Sequence, residues 1–302
     1  PPLGDPRNFT PPASNPGLRA TFSGALASAL AAGLAPASVD GAFENAYVQS
    51  WNLNVQHEIT PSLGVSIGYF GSKGTRLRIQ RNINQFRIDG TRPFASLSSN
   101  SPILPGRGLG NILENGSAGN SSYNALWLTA NKSLSRGLQF NASYTFSKSI
   151  DYNSLNSQGV VVQDSFNIRG SRGLSDYDAR HRFVINWLYE LPFKGNRLVE
   201  GWQFSSITQL QSGNPVNLVT NINSFTGTAT LRPDLIGPIT ILEDPNRWFD
   251  TSSFVAPTTP TTHFGSLGRN VVIGPGFTNV DFSVLKKTNI TERLRTEFRA
   301  EI

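Results

Sequence analysis

Residues 134–148, LSRGLQFNASYTFSK, contain the longest clean alternation of apolar and polar residues in the chain. Successive side chains of a β-strand point to opposite faces, so this period of two predicts a strand with one apolar and one polar face. In a soluble sandwich the apolar face would meet another sheet. In a membrane barrel it would meet lipid, and the small polar residues would line the lumen. The apolar positions are Leu138, Phe140, Ala142, Tyr144 and Phe146.

Seven further segments alternate in the same way, so the chain is predicted to hold about eight strands. Residues 1–45 are rich in proline, glycine and alanine and have no strand period. They are predicted to form a loop segment of the extracellular type with a short helical turn. The seven segments cover about residues 46–59, 65–69, 123–132, 181–191, 201–211, 277–287 and 293–302.

The connections between these strands alternate between short and long. Short turns are predicted near Pro61, Arg136, Lys194 and Asn289, and long loops at 78–122, 149–178 and 212–276. Bacterial outer-membrane barrels have short periplasmic turns and long extracellular loops. Strands of about ten residues also match a tilted membrane crossing. The pattern therefore predicts an all-β fold, an antiparallel up-and-down transmembrane β-barrel segment over 46–302, in the outer membrane of a Gram-negative bacterium.

Composition narrows the possible partners and cofactors. The chain has no cysteine, which excludes disulfides and thiolate metal sites. The formal charge of +6 is spread along 302 residues, whereas nucleic-acid binding needs a clustered basic patch. Contact with outer-membrane lipid and lipopolysaccharide fits the dispersed basic residues better. No nucleic acid partner and no cofactor are predicted, and no apolar run approaches the roughly 20 residues of a membrane helix.

Six segments in order carry a resemblance to a known family. They are YVQSWNLNVQHEI, GYFGSKGTRL, SRGLQFNASYTFSKS, SDYDARHRFV, GWQFSSITQLQSGNPV and FGSLGRNVVIGPGFTNVDFSVLKK. Together they resemble the carboxy-terminal barrel region of TonB-dependent outer-membrane receptors, and in particular the Oar-like group. The resemblance implies a barrel of about 22 strands, a plug domain that contacts the TonB complex, and energised uptake. Because no plug is recognised here, TonB would be a partner only through a plug domain outside this chain.

The predicted function is therefore part of an outer-membrane receptor barrel for energised uptake of an unknown small or polymeric substrate. With about eight strands, the segment is expected to form an open, curved sheet whose first and last strands are not hydrogen-bonded to each other. The alternative is an outer-membrane structural or adhesion protein that uses the barrel as an anchor. An outer-membrane lipase or protease and a soluble carbohydrate-binding sandwich are further alternatives.

Four groups of residues are candidate sites, and none is assigned a catalytic, cofactor-binding, metal-binding or substrate-binding role. Residues 64–68, GVSIG, match the G-x-S-x-G nucleophile pattern, but Ser66 lies inside an alternating strand rather than at a strand-to-helix turn. Ser66 is therefore predicted to be a strand residue that faces the lumen, and the chain is not predicted to be an enzyme.

Asp176, Asp178 and His181 are close in sequence, so they could be part of a catalytic triad, a calcium site in a loop, or a structural cluster. Pairing of Asp178 with Arg180 or Arg182 is the favoured interpretation. His57 and His263 have no partners at zinc-ligand spacing. Aromatic residues of the long loops are candidates for a ligand surface, because function concentrates on loops. They are Phe86, Phe94, Phe166 and Phe225.

The alternation also predicts which side chains share a face. The first set is expected to point out of the sheet toward lipid, and the second set toward the lumen. The outward set is Phe140, Tyr144, Phe183, Ile185, Trp187, Leu294 and Phe298. The inward set is Asn141, Ser143, Asn186, Gln209 and Arg295.

Overall fold

A computed structural model describes residues 35, 37–100, 106, 108–154, 162–220, 231–257, 263–291 and 293–302. This part of the chain contains strands and two short 3-10 helices, Ile168–Ser171 and Thr251–Ser253. The strands are β1 (Ala37–Val39), β2 (Tyr47–Thr60), β3 (Leu63–Asn82), β4 (Leu113–Ser135), β5 (Leu138–Asp151), β6 (Gly173–Leu174), β7 (His181–Glu190), β8 (Trp202–Gln211), β9 (Pro215–Val216), β10 (Asp234–Leu235), β11 (Ile241–Asp244), β12 (Arg247–Phe249), β13 (Phe254–Val255), β14 (Val272–Ile273), β15 (Phe277–Asn289) and β16 (Arg295–Glu301).

Eight of these strands form one continuous sheet in the order β16-β15-β8-β7-β5-β4-β3-β2. Every neighbouring pair along this path is antiparallel, so the predicted up-and-down topology is confirmed. Within the described residues, β2 bonds only to β3 and β16 only to β15. The sheet is open, as predicted. The fold is all-β, and two short strands attach to its side, β1 to β4 and β6 to β5.

Short hairpins lie at one end of the sheet, as predicted. The tightest joins β4 to β5 through Arg136 and Gly137, whose φ angles of 51° and 80° are both positive. Positive φ at both central residues is the signature of a type I′ turn, which matches the twist of the flanking strands. The ladder accordingly closes directly from Ser135 to Leu138.

The predicted loop 78–122 is too long at both ends. Strand β3 runs on to Asn82 and β4 begins at Leu113, so the connection is only 83–112. Their ladder continues through two register shifts between Thr75 and Ile79. These strand ends extend beyond the length that a membrane crossing needs, so no lipid imposes an apolar face on them and the period-two signal fades.

The other predicted loops also contain strands. Strand β5 continues to Asp151 inside the predicted loop 149–178, and β6 pairs with its end. The predicted loop 212–276 contains β9 to β14 as three two-stranded pairs. Within 1–45, residues Ala37–Val39 form β1, which runs parallel to β4. The predicted helical turn in this segment falls mainly on residues 1–34, outside the described residues.

The register of the sheet separates an apolar face from a polar face. One row across six strands is apolar throughout, and its members are mutual Cα partners: Val55, Ile67, Leu128, Tyr144, Phe183 and Leu210. The neighbouring row is largely polar: Gln56, Ser66, Thr129, Ser143, Val184 and Gln209. Exposed aliphatic side chains such as Val55 (57%) and Ile67 (47%) concentrate on the apolar face. Such a surface suits lipid.

The predicted faces are confirmed with one exception. Phe140 pairs with Trp187 on the apolar face, and Asn141 pairs with Asn186 on the polar face. Leu294 was predicted to be an outward strand residue, but β16 begins only at Arg295. Leu294 instead closes the turn after β15, where its carbonyl accepts a hydrogen bond from the backbone N–H of Ile290. Among the described residues, no helix has the length and apolar character that a membrane crossing requires.

Candidate functional site

The polar face carries small hydrophilic side chains in the part of the sheet next to the short hairpins. The Ser66 and Thr129 hydroxyls are hydrogen-bonded to each other across β3 and β4. In the next row, Asn141 Nδ2 donates to Asn186 Oδ1 at 3.1 Å. Side chains of this kind bond to one another and to water, so this face can border a hydrated lumen.

Toward the long-loop end, the loop that follows β5 is bonded to the polar face. The Ser147 hydroxyl donates to the Ala179 carbonyl at 3.0 Å. The Ser149 backbone N–H donates to Asp178 Oδ1 at 2.5 Å, and the Ser149 and Ser175 hydroxyls are 2.7 Å apart. Ser147, Ser149, Ser175 and Asp178 are all buried. The loop therefore lies directly on the polar face.

An arginine joins this loop to the third long loop. Arg269 Nη1 contacts Asp151 Oδ1 at 2.7 Å, and Nη2 contacts Asp176 Oδ1 at 2.8 Å and the Ser154 hydroxyl at 2.8 Å. The Asp151 carboxylate also accepts a hydrogen bond from the Ser175 hydroxyl at 2.6 Å. We call Arg269, Asp151, Ser154, Ser175 and Asp176 the Arg269 cluster. Because Arg269 and Asp151 are buried and fully paired, the cluster fixes the two loops relative to each other.

A second buried arginine extends the contact. Arg232 Nε donates to the Leu267 carbonyl at 2.7 Å, and Nη2 donates to the Gly170 carbonyl at 2.9 Å. Burial lowers the pKa of Arg232 to about 10, and repulsion from Arg269 adds to this shift. The guanidinium is still protonated near pH 7. Its charge is therefore stabilised by carbonyl dipoles, which hold the neighbouring backbone in place.

Amide side chains join the first long loop to the other two. Gln85 Nε2 donates to the Gln163 carbonyl, and Gln85 Oε1 accepts from the Ser165 backbone N–H, both at 2.7 Å. Gln163 Nε2 in turn donates to the Gly265 carbonyl at 2.9 Å. The side chains of Gln85 and Gln163 thus connect loops 83–112, 152–180 and 212–276. The Arg269 cluster, Arg232 and these amides together form one polar connection, which we call the loop network.

The structure places Ser66 where the sequence predicted, on the polar face of β3. Its hydroxyl bonds to that of Thr129, and the chain continues as strand on both sides. A nucleophile elbow needs a sharp turn from strand to helix, so this position lacks the geometry of that motif.

Asp176, Asp178 and His181 do not converge on one site. Asp176 belongs to the Arg269 cluster, and Asp178 lies 3.9 Å from Arg180, which confirms the predicted pairing. His181 lies on the apolar face, where its Nδ1 is 2.7 Å from the Tyr144 hydroxyl. No group of three potential metal ligands occurs among the described residues.

The other candidate residues have separate environments. His263 Nε2 is 2.6 Å from Asp234 Oδ2. Burial opposes ionisation of Asp234, but hydrogen bonds from His263 and Ser266 outweigh it and lower the pKa of the carboxyl. His57 lies on the apolar face opposite Val65.

Aromatic residues of the long loops lie beside arginines. Arg92 lies over the Phe86 ring at 3.9 Å, and burial lowers the pKa of Arg92. Arg87 lies over the Phe166 ring at 5.4 Å. Phe94 is 48% exposed, and Phe225 falls outside the described residues. Two loops thus present arginine–aromatic pairs, which can contact ligands with planar or polar groups.

Apart from Asp176, the residues of the loop network were not predicted from the sequence. Arg269 lies in residues 265–270, GSLGRN, which the sequence marks only as part of a segment that resembles the receptor family. The residues around Arg269 give no local signal of its burial, because an arginine in a polar loop has the same pattern whether it is buried or solvated.

Of three comparisons with known proteins, the match to a family model covers almost the whole chain. A family model described as an outer membrane beta barrel domain matches residues 3–302. The outer membrane transporter YddB from Escherichia coli aligns with 86% of this chain at 10% identity and a TM-score of 0.43. The chain spans only 28% of the length of that transporter. No curated protein matches significantly.

Proposed function

The chain belongs to the family of outer-membrane β-barrel domains, and from this premise we propose that it forms part of the barrel of a TonB-dependent uptake receptor. The uptake would be energised, and we propose the Oar-like group, which the sequence resembles, as its subgroup. In this proposal a plug domain outside the chain contacts the TonB complex. The substrate is a small or polymeric compound that enters from the cell exterior.

One observation carries the proposal: the polar face is hydrophilic, and three long loops are bonded into one unit at its outer end. A barrel that serves only as a membrane anchor needs an apolar lipid-facing surface, and the polarity of its lumen is not constrained. A receptor also needs loops that present a fixed binding surface above a hydrated path. The buried Arg269–Asp151 pair and the Gln85 and Gln163 amides supply that fixation.

The exposed ring of Phe94 and the Arg87–Phe166 pair are the proposed contact points for substrate. Phe94 and Phe166 are each 48% exposed, although hydrophobic side chains at loop tips gain nothing from water. Such a surface also fits the alternative function, adhesion to another cell or to a polymer, so an experiment has to separate the two.

The test compares the native bacterium, a deletion strain for the full-length protein, and a strain that lacks TonB. Each strain is grown in a complex medium, and the compounds removed from the medium are measured by mass spectrometry. We expect at least one compound to be removed by the native strain alone.

Adhesion predicts a different pattern. The three strains would then remove the same compounds, while the deletion strain would lose attachment to surfaces and the TonB-deficient strain would keep it. That result would refute the uptake proposal.

A further inference from the structure

Basic side chains lie on the apolar face, on the long-loop side of its hydrophobic rows. Lys73 of β3 follows Tyr69 by four residues and Lys148 of β5 follows Phe146 by two, so both lysines share the face of those rings. Both lysine side chains are exposed. Charged residues on a lipid-contacting face are costly within the hydrocarbon, so their height above the short turns matters.

The height of the two lysines corresponds to one membrane crossing. Strand β3 begins at Leu63 and β5 at Leu138, so each lysine lies ten residues beyond the start of its strand. A tilted barrel strand crosses the hydrocarbon in about 9–11 residues. The short turns face the periplasm in this class of protein. Both ammonium groups therefore lie at the outer boundary of the membrane.

Aromatic residues mark the same level. Trp51 is the Cα partner of Gly71, and a Cβ atom at position 71 would approach the indole ring to 2.3 Å. Glycine at this position thus lets the ring lie flat on β3. The Tyr69 hydroxyl donates to Asn124 Oδ1 at 2.7 Å. Tryptophan and tyrosine with a polar atom at the water side are typical of a membrane boundary.

A third cation comes from the loop after β5. Arg172 Nε donates to Asn120 Oδ1 at 3.2 Å, and its Nη2 contacts the Ser122 hydroxyl at 3.4 Å. Ser122 is the Cα partner of Lys73, so the guanidinium is held beside that lysine. We call Lys73, Lys148 and Arg172 the basic patch. Among the described residues, none of the three has a carboxylate within ion-pair distance.

The opposite end of the apolar face is arranged differently. Lys132 lies beside the short turn, where its Nζ donates to the Ser135 hydroxyl at 2.6 Å and is 3.4 Å from the Ser62 hydroxyl. This ammonium is satisfied within the protein. The basic patch instead collects like charges on the surface, which favours an external anion.

We propose that the basic patch binds the phosphate groups of lipopolysaccharide in the outer leaflet. The acyl chains of the same lipid then lie on the apolar rows directly beneath, formed by Tyr69, Leu126 and Phe146. Lys73 and Lys148 are two strands apart, on the order of 10 Å across the sheet, so a lipid with two phosphates can contact both. The proposal does not depend on uptake, because it concerns the lipid-facing side of the sheet.

The test uses the full-length protein purified in detergent and native mass spectrometry with three lipids. These are diphosphorylated lipid A, the same lipid after enzymatic removal of its phosphates, and phosphatidylethanolamine. We expect only the diphosphorylated lipid to bind tightly. The double variant Lys73→Gln/Lys148→Gln should bind it about thirty-fold more weakly, since each basic residue near a membrane surface contributes roughly a fivefold factor.

The control is Arg182→Gln. Arg182 is exposed at a similar height but lies on the polar face, opposite Thr145. It should bind the lipid like the unmodified protein. If the double variant fails to fold, Arg172→Gln alone should lower the affinity about fivefold, because this loop residue is outside the strands.

Four results would overturn the proposal. The first is an affinity of the double variant within threefold of the unmodified protein, and the second is an equal loss in Arg182→Gln. The third is equal binding of the lipid without phosphates. Displacement of the lipid by millimolar inorganic phosphate would also overturn it, because the patch would then be a site for a free anion.

Discussion

Replacement of Arg269 by methionine is expected to separate the long loops while the strands stay paired. The side chains of Arg269 and Asp151 are only 5% and 4% exposed, so the substitution leaves a buried carboxylate without its counter-charge. Breaking a buried pair in this way costs about 3–5 kcal/mol. If the free energy of local opening falls by this amount, the opened population of the loops rises by roughly 150- to 5,000-fold.

Hydrogen exchange measured by mass spectrometry on the full-length protein in detergent can detect this change. Peptides that cover residues 152–154 and 172–178 should exchange roughly 150- to 5,000-fold faster in Arg269→Met, which corresponds to about 3–5 kcal/mol. Peptides from the middle of β5 should keep their protection. Asp151→Asn is expected to have a smaller effect. Arg269 still forms its ion pair with Asp176, and the asparagine side chain leaves no unpaired buried charge.

A matched control lies in the same loop as Arg269. Arg247 contacts Asp250 at the same distance, 2.7 Å, but its side chain is 60% exposed. Exposed pairs contribute about 0–1 kcal/mol, so Arg247→Met should change exchange less than about fivefold. Equal acceleration in the two variants would refute the argument from burial. Loss of protection in β5 would also refute it, because the cluster would then stabilise the sheet rather than the loops.

Three further predictions concern the sheet. In the full-length protein, Phe140→Arg should lower the yield of heat-modifiable barrel far more than Asn141→Arg, because charge on the lipid face costs roughly 2–4 kcal/mol; equal yields would contradict the face assignment. Gly71→Ala should lower the unfolding temperature, since its Cβ would lie 2.3 Å from the Trp51 ring, whereas Gly64→Ala meets no atom within 4 Å and should be neutral. The 302-residue chain expressed alone should aggregate through its two unpaired edge strands, and a monodisperse monomer in detergent would count against this.

The sequence predicted the structure best where the sheet is expected to contact lipid. Residues 181–191 were predicted as a strand, and β7 covers His181–Glu190. Lipid on one face and a hydrated lumen on the other enforce a strict period of two. Both the strand and the orientation of its side chains can therefore be predicted from the sequence. Above the membrane this constraint ends. The last residues of β3 and the first residues of β4 were therefore wrongly predicted to be loop, although they pair with each other.

The loop network could not be predicted for a different reason. Its contacts join residues that are far apart in the chain: Arg269 and Asp151 are 118 positions apart, and Gln163 and Gly265 are 102 apart. A local window contains only one member of each pair. An isolated arginine or glutamine in a polar loop has the same local pattern whether it ends up buried or solvated. The partners come together only when the strands have paired and the loops pack against one another.

The loop network is largely buried, whereas the aromatic rings of Phe94 and Phe166 are exposed, so ligand specificity can change without loss of the network. Phe94 and Phe166 have exposed side chains, and the bonds that hold their segments are made by backbone atoms: the Phe94 N–H donates to Asn84 Oδ1, and the Phe166 N–H to Asp164 Oδ1. Substituting either ring removes no hydrogen bond of the loop network. If these rings contact substrate, then Phe94→Ala and Phe166→Ala should alter which compound is removed from the medium and leave loop exchange within about threefold of the unmodified protein, the range that is typical of exposed substitutions. Faster exchange across all three loops would instead mean that the rings are part of the network.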